Sequence, residues 1–159
     1  MGAINNAFNQ AAGAVAGAGL IIQHAKETEE SKMNTADNTA LIARNQANAA
    51  NDEVNAAWDE AFKKGGLVEQ LSAAEVNREE AEKAYNKAVK RKNGSPKTRF
   101  KKFTELDAAR KAEDELNHKY QAIEDMDKRT QEQIRYAAKA TELAIKAKEK
   151  FEKHWGGTR

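Results

Sequence analysis

The chain reads as all-α, an elongated helical hairpin or coiled coil with a kink or break at Gly65-Gly66, and a three-helix bundle is the alternative. Three observations carry that reading. One third of the residues are charged and only 6% are aromatic, with Ala, Glu and Lys abundant, a composition that favours long helices over a compact mixed fold. Small and apolar positions recur at alternating steps of three and four over most of the chain, the spacing of one helix face. The residues that interrupt helices cluster at two places, Gly65-Gly66 and Asn93-Gly94-Ser95-Pro96.

The first element is a segment of residues 1–25 without a single Asp, Glu, Lys or Arg, although the whole chain holds 27 basic and 25 acidic side chains. Its run from Ala11 to Ile22 consists of small and apolar residues, shorter than the roughly 20 needed to cross a bilayer as one helix. A basic leading region is missing, so it does not read as a secretory signal. Gly13 and Gly17 form a GxxxG that Gly19 extends, and Leu20, Ile21 and Ile22 follow. Such spacing lets helix backbones approach closely, so these residues are the expected membrane or association residues. Spanning would require several copies to hide Asn5, Asn6, Asn9, Gln10 and Gln23 against one another.

A ladder of Met33, Ala36, Ala40, Ala43, Ala47, Ala50, Val54, Ala57 and Ala61 comes next, the expected helix seam. Alanine knobs permit close approach but bury little area each. Asn34, Asn38, Asn45, Asn48, Asn51 and Asn55 flank the seam and predict polar surroundings. Gly65-Gly66 then stops or bends the helix. The following helix starts either at a capping box of Ser72 and Glu75 or at Leu67. Leu67, Leu71, Ala74, Ala81, Tyr85 and Ala88 continue the spacing, with Arg78 as a charged intruder.

At the second interruption Gly94 is expected to take a left-handed cap, Ser95 to cap the next helix and Pro96 to begin it. From there a ladder runs through Glu113, Leu116, Tyr120, Ile123, Asp127, Thr130, Ile134, Ala137, Thr141, Ala144, Lys148, Phe151 and Trp155. A helix over that stretch would be about 90 Å long. The expected organisation is an N-terminal segment 1–25, a helical hairpin 26–155 turning at 93–96, and a tail 156–159.

Between Lys83 and Lys102 lie nine basic and no acidic residues: Lys83, Lys87, Lys90, Arg91, Lys92, Lys97, Arg99, Lys101 and Lys102. With Phe100 and Phe103 among them, the hairpin tip is the expected phosphate or nucleic-acid binding region, for DNA or anionic lipid. Equally, two solvated helix ends can be basic while the phenylalanines seal the turn. Trp58 with Phe62 and Phe151 with Trp155 are packing pairs by spacing. No catalytic residue, cofactor or metal is expected, since His24, His118 and His154 lack ligand spacing, cysteine is absent, and no phosphate loop or nucleophile motif occurs.

The layout, a Met-Gly start, a Gly/Ala-rich uncharged segment over Met1 to Ile22, an Asn/Ala-rich run from Asn34 to Ala57 and a charged helical remainder, resembles the microvirus-type DNA pilot (minor capsid) proteins. More loosely it is similar to the internal ejection proteins of short-tailed phages. The resemblance implies a non-enzymatic virion protein whose copies assemble through helices and pass the genome across the host envelope. It implies partners among its own copies, other virion proteins, and DNA or anionic lipid, with no small-molecule substrate. In that picture Gly13, Gly17 and Gly19 help the membrane segment associate and the Asn-rich helix lines a polar lumen. This chain departs from the pilot pattern in its shortness, its Gly94/Pro96 turn and its basic tip, which argue against a simple parallel tube. The rivals are a structural or scaffolding coiled-coil protein of a capsid or a cytoplasmic complex, and a pore-forming translocator subunit.

Overall fold

The computed structural model describes residues 2–156, with side-chain surroundings for residues 18–156. Three helices make up the fold: α1 (Gly2–Phe62), α2 (Leu67–Lys90) and α3 (Pro96–Trp155), and no strand occurs among the described residues. The chain divides into two units, one of residues 1–47 with 133–159 and one of residues 48–132.

In the first unit, α1 and α3 supply an alanine core. Ala40, Ala43 and Ala47 of α1 pack with Ala137, Ala140 and Ala144 of α3, with Ala36 and Ile134 half-buried beside them. The two helices run antiparallel, because the earlier Glu29 of α1 meets the later Trp155 of α3, whose indole Nε1 donates to its carboxylate at 2.8 Å. His154 Nδ1 stands 3.7 Å from the same carboxylate. The Trp155 hydrogen bond, with help from Lys150 and His154, holds Glu29 below its ordinary value of 4.5. A lowered carboxylate contributes stability that is present above the unfolded value and lost as pH falls through the folded one. Acid titration below about pH 4.5 is therefore expected to loosen this end of the unit, and Glu29→Gln should flatten that part of the profile when followed by circular dichroism.

In the second unit, the end of α1 and then α2 meet successive stretches of α3. Trp58 stacks edge-on to Tyr120 at 5.4 Å and donates Nε1 to Asp127 at 3.2 Å. Arg78 Nε donates to Glu113, and Nη1 reaches Glu82 at 3.2 Å. Tyr85 meets Phe103 at 5.9 Å, and Leu106 is the largest fully buried side chain among the described residues. Val54, Ala61, Ala74 and Thr130 are also buried. Arg78 and Glu113 thus stand on opposite ladders as charged intruders and neutralise each other, and the Glu113 hydrogen bond raises the Arg78 pKa further.

The break at 63–66 has a specific geometry. Gly65 has φ +73°, the left-handed region, and is the only residue with positive φ among those described. A Cβ on Gly66 would lie 2.5 Å from the Glu60 carbonyl oxygen and 2.6 Å from that of Ala61. The reach-back from α2 fixes the turn: Glu69 accepts from the Gly65 N–H at 2.8 Å, and Gln70 Nε2 donates to the Gly65 carbonyl at 2.9 Å. Hence α2 begins at Leu67, and Ser72 and Glu75 lie inside it instead of capping it. Gly65→Ala should cost about 1 kcal/mol from the left-handed strain, and Gly66→Ala more, because backbone atoms must move. Chemical denaturation of the two variants checks the order.

Candidate nucleic-acid interface

The turn between α2 and α3 spans residues 91–95 and carries the basic cluster on both sides. Its fold is made by backbone bonds: Gly94 N–H donates to the Arg91 carbonyl at 3.3 Å, and the Ser95 carbonyl accepts from Thr98 at 3.1 Å and Arg99 at 3.2 Å. Pro96 opens α3, where its missing N–H costs nothing. Gly94 does not take the expected left-handed cap. A Cβ there would sit 3.3 Å from the Ala88 carbonyl oxygen and 3.4 Å from Arg99 Nε, so its smallness serves close packing.

The nine basic residues separate into two kinds. Arg99 is turned inward, with Nη2 donating to the Arg91 carbonyl at 3.1 Å, and its buried Nε has no hydrogen-bond partner. Lys102 pairs with Glu105 at 2.9 Å, which holds the Glu105 carboxyl below its ordinary range. Arg99 braces the turn, and Lys102 is held by an ion pair within α3. Lys83, Lys87, Lys90, Arg91, Lys92, Lys97 and Lys101 are exposed and make no ion pair with described residues. Lys83, Lys87, Lys90 and Arg91 line an open groove together with Asn86, because steps of three and four bring them to one outer face of α2. Sequence reasoning passed over Asn86, whose step of three from Lys83 was the available signal. Phe100 is 72% exposed on α3, while Phe103 is half out of solvent against Tyr85.

Cationic side chains that form no ion pair among the described residues can bind phosphate oxygens, Arg91 as a two-pronged donor and the lysines as point charges. Asn86 adds an amide that can donate to and accept from a base or sugar.

The other expected sites lie as follows. The seam of Met33, Ala36, Ala40, Ala43, Ala47, Ala50, Val54, Ala57 and Ala61 is buried or half-buried throughout, and Ala40, Ala43 and Ala47 pack with the chain's own α3. In α3, Lys148 is exposed and Ala147 is half-buried in its place. Asn34, Asn38, Asn45, Asn48 and Asn55 face solvent, and Asn51 is half-buried. Gly19, Leu20, Ile21 and Ile22 are exposed, and a Cβ on Gly19 would meet nothing within 4 Å. The contacts of Gly13 and Gly17 lie outside the described residues. No helix among the described residues is long and apolar enough to cross a membrane. Comparison with protein-family models, with curated proteins and with solved structures finds no match to this chain.

Proposed function

We propose that this is a non-enzymatic phage virion protein that assembles through its helices and helps deliver the genome, holding nucleic acid at the α2–α3 turn. One observation carries the nucleic-acid part: seven exposed basic residues at the turn have no ion pair among the described residues, and four of them line one groove with Asn86. The virion part rests on the layout of the uncharged first segment and the Asn/Ala-rich helix. The apex, from Arg91 to Lys97, contains Pro96 as its only apolar residue, which favours a polyanion laid along the surface over insertion of the tip into a bilayer.

The scaffold reading is favoured by a different observation, the use of the alanine seam within one chain. Binding of a fluorescent single-stranded oligonucleotide, paired with flotation on neutral and anionic liposomes, separates the two. Oligonucleotide binding by the full chain, with liposome flotation that depends on residues 2–25, supports the delivery role. Binding of neither leaves the scaffold as the function.

A further inference from the structure

We infer that Phe100 is a base-stacking residue and that the site it completes takes single-stranded nucleic acid; this rests on the nucleic-acid reading above and names the form of the ligand. Phe100 is 72% exposed, against 48% for Phe103, which already closes α3 onto α2 through Tyr85 at 5.9 Å. Sealing the turn therefore does not require Phe100. The two helices run antiparallel, since Arg78 meets Glu113 and the later Tyr85 meets the earlier Phe103. From that ring contact, four residues forward in α2 lead to Val89 and three back in α3 lead to Phe100. In an antiparallel pair these steps turn to the same side, by about 40° and about 60°. Val89, itself 47% exposed, and Phe100 thus stand together on one flank, one turn nearer the loop.

Cations border this apolar pair on both sides. By the same rotation Lys83 and Lys90 come to the outer edge of the flank on α2, and Lys97 and Lys101 to the outer edge on α3. All four are exposed and make no ion pair among the described residues. Asn86 lies on the α2 side of the flank and Thr104 on the α3 side, where the Thr104 hydroxyl donates to the Phe100 carbonyl at 2.9 Å. The nearest acidic residues of this flank, Glu82 and Asp107, stand a turn farther from the loop than Tyr85 and Phe103, and both are occupied. Glu82 pairs with Arg78 at 3.2 Å and Arg110 at 3.5 Å, and Asp107 with Lys111 at 2.9 Å.

An exposed aromatic ring between two rows of cations holds an unpaired strand by a division of labour, the lysines taking phosphates and the ring taking a base. Inside a duplex both faces of each base are already covered by its neighbours, so Phe100 finds a stacking partner only where bases are unpaired. Immersing Val89 and Phe100 in a bilayer would carry Lys90 and Lys97 toward the hydrocarbon with them, at a cost, whereas a base reaches the ring from solvent. Stacking releases no counterion, so the ring and the lysines leave separable signatures: the lysines set the salt slope and Phe100 the affinity at any one salt concentration.

Fluorescence anisotropy of the full chain with three labelled probes of equal length tests the assignment: an oligothymidylate, the same strand with abasic sites, and a duplex. Phe100→Ala and Phe100→Trp are compared with the wild type over a range of salt, and circular dichroism verifies helix content in each. The expected result for Phe100→Ala is about 10-fold weaker binding of the oligothymidylate with an unchanged salt slope, and unchanged binding of the abasic strand and the duplex. Phe100→Trp should bind like the wild type. Equal affinity of the wild type and Phe100→Ala for the oligothymidylate would overturn the inference and leave nucleic-acid binding standing, whereas a wild type that binds no probe would overturn both. A loss in Phe100→Ala that is as large for the abasic strand or the duplex would overturn the stacking role, as would an effect confined to flotation on anionic liposomes, which would assign the ring to a bilayer.

Discussion

Replacing Leu106 with alanine is expected to lower the stability of the unit of residues 48–132 by about 2–5 kcal/mol, the range for emptying a fully buried leucine site. Leu106 is 2% exposed, and it follows the Tyr85–Phe103 contact by one helical turn. The cavity therefore opens one helical turn beyond the Tyr85–Phe103 contact. Leu143→Ala makes the internal comparison, because Leu143 is 63% exposed; its change in the isolated chain should stay within about 0.5 kcal/mol. Denaturant unfolding at a protein concentration low enough to suppress self-association reads both. Equal effects would mean that burial in the second unit does not rest on Leu106.

Converting Lys83, Lys87, Lys90 and Arg91 to glutamine should remove most of the affinity for single-stranded nucleic acid and reduce the salt slope of log K by about 2.8, at about 0.7 per phosphate contact. The wild type should then lose about 50-fold more affinity than the variant between 50 and 200 mM salt. These side chains have no ion pair among the described residues, so the substitutions disturb no internal bond. Arg99→Gln serves as the contrast. Its guanidinium holds the Arg91 carbonyl, and its loss should act on turn stability more than on the salt slope.

Much of this architecture was legible because helix periodicity and helix breakers are local signals. The Ala40, Ala43 and Ala47 ladder reads as a face before its partner is known, and Gly65-Gly66 and Pro96 mark where helices must stop or start. The capping at the first break was not legible. Glu69 and Gln70 bond back to Gly65, and such a reach-back leaves no signature as distinct as the Ser72/Glu75 spacing that suggested a later start. Gly94 shows the same limit in another form, since a glycine needed for close packing looks identical in sequence to one needed for a left-handed cap. Charged intruders on a seam remained unexplained in one dimension. Arg78 and Glu113 are 35 positions apart and acquire meaning only when α2 and α3 bring them together.

The basic cluster was visible as composition, but its division was not. Arg99 and Lys102 look like Lys87 and Lys90 in a charge count, yet Arg99 is bonded to the turn and Lys102 is paired within α3, while the others are left to solvent.

Hydrogen exchange of the full-length protein with and without a single-stranded oligonucleotide tests the central claim most directly, because it reports both binding and its location. The expected result is added protection in α2 and α3 between Lys83 and Lys102, diminishing with salt. Absence of any protection at low salt, or protection confined to residues outside that turn, would contradict the account.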